Sequence, residues 1–207
     1  MASNVRFELQ VAAMSDLHPS WAPTLAPELV LAARERAIGR RWLARQITAS
    51  ELLGNVTPIS LSGGWRWLLK PLSEFSDLLL DLGGIVLAPR LRIVVEREPL
   101  ALLREVLGEA RYQRVLKHGG GSATPPAGDV SAALPDDAED LREVLRRQAA
   151  IELQAQLQGI ARGLSERVAL ALPRDWALPP STAARLDAAV FEAVLRTHVD
   201  RSLGASV

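Results

Sequence analysis

Trp65-Arg66-Trp67-Leu68-Leu69-Lys70-Pro71, a leucine-dense run to Asp81, then Leu82-Gly83-Gly84-Ile85-Val86-Leu87-Ala88-Pro89-Arg90-Leu91-Arg92, and two charged, leucine-patterned segments ending at Lys117-His118 form the densest apolar stretch of the chain. Leu72, Phe75, Leu78, Leu79 and Leu82 recur at threes and fours, the spacing of one helix face, and Lys70-Pro71 permits a helix start. Gly83-Gly84 is expected to end that helix, because glycine is favoured where the backbone turns left-handed just past a helix end. Pro89 and Pro99 each fit the first turn of a further helix, the second carrying Leu100, Leu103, Val106 and Leu107 with Gly108 as its stop. Glu109 to Lys117 closes the stretch with Tyr112, Val115 and Leu116. The charges fall between buried positions as solvated faces, so the stretch reads as a packing core.

Composition extends this reading outward. The 207 residues suffice for one sizeable core, or one core with an appended helical unit. Ala, Leu and Arg are abundant and aromatics make up 4%, which favours an all-α chain. With 24 Lys and Arg against 24 Asp and Glu, no global field gathers nucleic acid or an anionic membrane. The absence of cysteine excludes disulfides, thiolate zinc sites and a cysteine nucleophile. Leu78 to Pro89, the most apolar run, is interrupted by Asp81 and is too short for the roughly 20 residues of a membrane-spanning helix. Met1 to Met14 lacks a continuous apolar core and is a poor signal peptide, so a cytoplasmic location is expected.

Before the central stretch, Val5 to Val11 alternates with period two and reads as extended or loosely helical. His18-Pro19-Ser20-Trp21-Ala22-Pro23 forces an extended path that fixes the indole of Trp21, either as a plug at the core's edge or as an exposed anchor for a partner. Pro27 suits the first turn of a helix to about Ile47, interrupted softly if at all by Gly39, with Leu31, Ile38 and Trp42 on the core side. Arg34, Arg41 and Arg45 line up beside them, as a solvated face or as a row for phosphate or an acidic partner surface. Thr57-Pro58 and Ser62-Gly63-Gly64 mark a loop.

Beyond His118 the composition changes. Gly119 to Asp137 holds little to bury and reads as a linker or loop. The domain expectation is therefore a helical core over 1–118, a Gly/Ser/Pro/Asp-rich segment over 119–138, and C-terminal helices over 139–207 packed on the core as a single domain. Asp136, with Glu139 three residues on, is the expected cap of a long helix to about Leu172. Leu141, Val144 and Leu145 lie on a different side from Leu153, Leu157, Ile160 and Leu164, which favours a bent or two-sided helix over a coiled coil. Pro173 to Pro180 carries Trp176, and Ser181 can cap a last helix with Leu186, Val190 and Val194 opposing Phe191 and Leu195. The fold class is all-α: short helices with Pro/Gly turns, then a long helix and a C-terminal helix.

No residue pattern points to chemistry. His18, His118 and His198 are far apart in sequence and form no metal-binding pair, and the glycine groups lack phosphate-loop spacing. Asp136, Asp137, Glu139 and Asp140 oppose the dipole of a helix start, and no serine lies in a nucleophile-elbow motif. Trp65-Arg66-Trp67 is the one local echo of base stacking and reads first as core. No cofactor, metal or catalytic residue is expected.

His18-Pro19-Ser20-Trp21, the Leu82-to-Arg92 run and Leu102-Leu103-Arg104-Glu105-Val106-Leu107-Gly108-Glu109-Ala110-Arg111-Tyr112 resemble the SctK family of bacterial type III secretion systems (YscK, PscK and relatives), over roughly Pro19 to His118. The resemblance implies a mostly helical, non-enzymatic adaptor of the cytoplasmic sorting platform, located at the cytoplasmic face of the inner membrane. It implies as partners the forkhead-associated-like cytoplasmic domain of the SctD-type ring protein and the SctQ-type pod protein, and indirectly SctL and the SctN ATPase. Neither nucleic acid nor direct membrane insertion belongs to that picture. Trp21, Arg34, Arg41, Arg45, Arg90 and Arg92 are the candidate contact residues. A helical enzyme or small-ligand binder without a recognisable motif, and a helical nucleic-acid-binding protein, are the alternatives.

Overall fold

The apolar run over 78–91 forms a helix whose residues are almost all buried, and the other helices of its unit are arranged around it. The computed structural model describes residues 13–46, 75–118, 134–160, 162–176 and 183–204. The described residues are helical, with no strand among them. The helices are α1 (Pro27–Arg34), α2 (Ala37–Gln46), α3 (Ser76–Leu91), α4 (Arg97–Leu107), α5 (Glu109–His118), α6 (Ala138–Ile160), α7 (Arg162–Ala171) and α8 (Ala188–Gly204). Short 3₁₀ turns cover Pro19–Trp21 and Arg174–Trp176. The expected extended segment at Val5 to Val11, the Trp65–Trp67 motif, the loop over 57–64, most of the Gly/Pro-rich segment and Ser181 lie outside the described residues.

Contacts divide the chain into two units that do not follow chain order. One contains 13–46 together with 153–176, and the other contains 75–118, 134–152 and 183–204. The division does not fall at the expected boundaries of 118 and 139, because residues on both sides of the Gly/Pro-rich segment pack in the same unit. Helix α6 contributes its residues up to Glu152 to one unit and those from Leu153 to the other.

In the unit built on α3, the sequence expectation of a helix stop at Gly83-Gly84 is overturned. Helix α3 runs through both glycines and ends at Leu91. They serve close approach: a Cβ on Gly83 would lie 2.0 Å from the carbonyl oxygen of Leu145, and one on Gly84 would lie 2.6 Å from a methyl of Val115. The backbone of α3 thus comes nearer to α6 and α5 than any side chain allows. Pro89 does not start a new helix either. It sits inside α3, two residues before its end, where it cannot supply the N–H for the carbonyl of Ile85 and its ring crowds that turn, and the helix stops at Leu91. Pro99 lies in the first turn of α4 as expected, and Gly108, at φ 73°, ends it where a left-handed backbone favours glycine. Tyr112 and Val115 of α5 are buried beside α3.

Two helix caps fall one and several residues later than the sequence reading placed them. Asp137, not Asp136, accepts from the backbone N–H of Glu139 (2.7 Å) and Asp140 (3.2 Å). Asp187 accepts from Ala189 N–H (2.8 Å), so the last helix begins at Ala188. The chain before it is held by Glu152, buried on α6, whose two carboxylate oxygens accept from the backbone N–H of Arg185 (2.8 Å) and Leu186 (3.0 Å).

In the other unit, the helix expected from Pro27 to about Ile47 is two helices, α1 and α2, with a corner at Glu35-Arg36. Pro27 begins α1 as expected. The corner turns the predicted face outward: Val30 and Leu43 enter the core, while Leu31 is 47% and Ile38 78% exposed. Gly39 makes the fold-back possible, since a Cβ there would lie 2.2 Å from the carbonyl oxygen of Ala33. Val30 and Leu43 join Ala13, Met14, Leu17, Ala22 and Leu170 in one apolar cluster, with Trp21 and Trp42 packed at its edge. The single helix expected from Asp136 to about Leu172 is likewise two helices, α6 and α7. Ser165 Oγ of α7 donates to the carbonyl of Gln154 on α6 (3.2 Å), so α7 turns back against α6 instead of continuing it.

Alanine for glycine in a helix interior ordinarily stabilises by about 1 kcal/mol. Gly83→Ala is expected to do the reverse, lowering stability by roughly 2–3 kcal/mol through overpacking against the Leu145 backbone, and Gly84→Ala is expected to cost less because the Val115 side chain can shift. Urea unfolding midpoints of the two variants against the parent protein measure both the sign and the order.

Candidate functional site

The six sequence-selected contact residues do not come together as one site. Trp21 packs against the apolar cluster of its unit, and its indole Nε1–H donates to the carbonyls of Ala169 (3.1 Å) and Leu172 (2.9 Å). The guanidinium of Arg174 lies 5.6 Å from its ring centroid. The plug reading therefore describes the indole better than the anchor reading. Arg34 is half-buried and donates to the carbonyls of Ser15 (2.8 Å) and Leu17 (3.4 Å), tying α1 to the preceding chain. The corner at Glu35-Arg36 removes it from the row expected with Arg41 and Arg45, which are exposed on α2. Arg90 is half-buried near the end of α3, and Arg92, just beyond it, donates to the carbonyl of Leu116.

The His18-Pro19-Ser20-Trp21 motif is a strap onto the chain over 169–174. His18 N–H donates to the carbonyl of Leu170 (2.8 Å), and Arg174 N–H donates to Ser20 Oγ (2.9 Å). Nδ1 of His18 accepts from the backbone N–H of Ser20 (3.3 Å) and lies 2.8 Å from the Ser20 hydroxyl. That geometry needs an unprotonated Nδ1. Burial, with the nearby Arg34 charge adding to it, holds the His18 pKa below the ordinary histidine value. Beneath the strap Arg167, fully buried, reaches the Asp16 carboxylate at 2.6 Å. Burial pulls the Arg167 pKa down, and the Asp16 charge and hydrogen bond work against that.

Among the described residues, the densest gathering of charged groups is in the other unit and was not singled out from the sequence. Asp81, buried in the middle of α3, is approached by His198 Nε2 of α8 at 2.7 Å and by Arg111 Nε and Arg114 Nη2 of α5 at 2.8 and 3.4 Å. Arg111 also reaches Asp77 at 2.6 Å, one turn earlier on α3. A carboxylate only accepts, so each of these groups donates to it. Burial alone would raise the Asp81 pKa, but the hydrogen bond from His198 and the charges of Arg111, His198 and Arg114 outweigh it and hold the carboxyl below its ordinary value. A small cavity of about 60 Å³ opens beside the network, lined by Ile85, Val115, Val194 and Thr197 among others. Its walls are mostly apolar, and the carboxylate is turned to its partners on α5 and α8. The sequence signal was a lone acid inside an otherwise apolar helical run, which demands donors without naming them.

Among the described residues no cluster of His, Cys, Asp or Glu could hold a metal ion, and no helix is long and apolar enough to cross a membrane. Among the described residues, exposed large apolar side chains gather at the α1–α2 corner, with Leu29, Leu31 and Ile38, and after α3, with Ile93 and Val95. Leu29, Ala32, Ala33, Glu35, Arg36 and Trp42 line a shallow groove at the corner. Compared with protein-family models, with curated proteins and with solved structures, the chain finds no match in any of the three.

Asp81→Asn is expected to lower stability by about 2–3 kcal/mol near neutral pH, since it leaves buried donors facing a neutral amide. Because the folded-state pKa of Asp81 is depressed, its contribution is complete above the unfolded value of about 3.9 and is lost as pH falls through the lower folded value, so parent and variant converge in acid unfolding. His18 carries a separate pH dependence of the same sign, its folded pKa being lowered. Its strap is fully effective above the unfolded value of about 6.5 and weakens as pH falls below it. His18→Gln, whose amide oxygen can still accept, is expected to flatten thermal stability between pH 7.5 and 5.5, which melting curves across that window measure.

Proposed function

We propose that this protein is a non-enzymatic helical adaptor of a bacterial type III secretion sorting platform. In this reading it joins the cytoplasmic domain of an SctD-type inner-membrane ring protein to an SctQ-type pod protein, and through that protein to the SctL stalk and the SctN ATPase. It works at the cytoplasmic face of the inner membrane. The observation that carries the reading is the likeness of His18 to Trp21, Leu82 to Arg92 and Leu102 to Tyr112 to the SctK family pattern.

Two structural features support it. The residues of the likeness are packing residues: His18 to Trp21 form the strap, Gly83 and Gly84 bring α3 against Leu145 and Val115, and Gly108 turns α4 into α5. Such a pattern specifies a shaped body, which is what an adaptor contributes. Exposed apolar side chains on α1 and α2, and Ile93 and Val95 after α3, offer surface that a partner can cover. In a ring of many copies, modest affinities at each contact multiply into a stable assembly.

Isothermal titration of the full chain against the cytoplasmic domain of an SctD-type protein, and separately against an SctQ-type protein, from the same secretion system tests the proposal. Saturable binding to both is expected, with Kd values on the order of micromolar, about −8 kcal/mol each. A folded protein that binds neither would remove the adaptor reading, and salt-dependent binding to duplex DNA in its place would establish the nucleic-acid alternative.

A further inference from the structure

We infer that the α1–α2 corner is a docking groove for an acidic amphipathic helix of a partner protein. The inference deepens the adaptor reading and rests on it for the existence of a protein partner. Its evidence is the chemistry of the corner. Leu29, Ala32 and Ala33 on α1 and Trp42 on α2 line the groove, and Trp42 is half-buried with one side against the core. Ile38, 78% exposed, precedes Trp42 by one helical turn and extends the apolar strip along α2, while Leu29, 49% exposed, holds its α1 side. An apolar channel between two helices fits the apolar face of a third, which would anchor through side chains spaced at threes and fours.

Charge chooses the kind of helix. Residues 27–46 contain five arginines and two glutamates in a chain whose formal net charge is zero. Two of the arginines are occupied within the unit: Arg34 holds the carbonyls of Ser15 and Leu17, and Arg40 donates to the carbonyl of Arg34 (2.7 Å). Arg36, Arg41 and Arg45 are exposed, Arg36 in the groove lining and the other two within a turn of Ile38 and Trp42. Glu35 stands with Arg36 in the groove lining and Glu28 is exposed on α1, so the exposed charge of 27–46 is three arginines against two glutamates, with the basic excess on α2 at Arg41 and Arg45. An apolar strip flanked on its α2 side by guanidinium groups is complementary to a helix with leucine-like anchors and carboxylates along one edge, which arginine can grip in bidentate fashion. The neighbouring segments of this chain do not match it: residues 1–12 hold one Arg and one Glu, and 47–74 hold two basic and two acidic residues. A nucleic acid would leave the apolar strip uncovered, and the vesicle competition below separates a protein helix from an anionic bilayer.

The probe is a synthetic helical peptide of about five turns with Leu at the i, i+3, i+4, i+7 positions and Glu elsewhere, its Lys-for-Glu counterpart serving as control. Fluorescence anisotropy with the full chain is expected to show saturable binding of the acidic peptide, weakening with added salt, and at least tenfold weaker binding of the basic one. Leu29→Asp with Ile38→Asp is expected to abolish binding, and Arg41→Glu with Arg45→Glu to weaken it about tenfold. All four side chains are exposed, and circular dichroism verifies that the variants stay helical. The inference is overturned if the acidic peptide does not bind at millimolar concentration, if both peptides bind alike, or if the corner variants bind as the parent does. It is equally overturned if phosphatidylglycerol vesicles or duplex DNA compete the peptide away through the same arginines with higher affinity. The peptide arms use neither ring nor pod protein, so their failure and the failure of the adaptor reading are separately visible.

Discussion

The unit that contains α3 depends on how closely that helix is approached. Twelve of its sixteen residues are buried, so it must be covered on nearly every side. Coverage by α6 and α5 needs the missing side chains of Gly83 and Gly84, because the Leu145 backbone and the Val115 methyl occupy the space of their Cβ atoms. Close packing of this kind gains many small dispersion contacts and leaves no slack for an added atom. Asp81 lies in the same helix, two residues before Gly83, and its carboxylate must find donors in the same crowded space. Arg111 and Arg114 from α5 and His198 from α8 supply them. Burying a charge is unfavourable without such partners, so this network fixes which turns of α5 and α8 can face α3.

The other unit solves a different problem with the same materials. Its apolar cluster is small, and polar contacts with the backbone assemble much of its chain around it. His18, Ser20 and Trp21 reach the chain over 169–174 through hydrogen bonds spanning about 150 residues of sequence. Arg34 fastens α1 to the chain at Ser15 and Leu17, and Arg167 meets Asp16 out of contact with solvent. Trp21, Arg34 and Arg167 thus use their long side chains as internal connectors. What is left on the outside at α1 and α2 is a set of apolar side chains, Leu29, Leu31 and Ile38, with the exposed Arg36, Arg41 and Arg45 on the same two helices and the corner between them.

Much of the architecture is legible in the sequence for local reasons. Helix content follows from propensity and periodicity, the starts at Pro27 and near Pro99 from proline's fixed φ, and the stop at Gly108 from glycine's access to positive φ. Apolar residues that change sides over 141–164 signalled that no single helix face serves this segment, but the return of α7 onto α6 rests on tertiary contacts such as Ser165 Oγ to the Gln154 carbonyl. Gly83-Gly84 and Pro89 misled the reading because a glycine that ends a helix and a glycine that admits a neighbouring backbone look alike in sequence. Only Leu145 and Val115, distant along the chain, distinguish them. The choice of Leu31 and Ile38 as core positions failed because a corner of two residues re-phases the helix after it.

The chain by itself therefore determined the fold class, most helix positions and the absence of thiol chemistry, since each depends on residues within a few turns of one another or on composition. Tertiary structure alone decided that Asp81 meets His198 across 117 positions, that the Trp21 indole is tied down while Ile38 stands exposed, and that the arginine row is divided between internal anchoring and outward display. Those outcomes depend on which surfaces are brought together, and burial and hydrogen-bond partnership are properties of the packed chain.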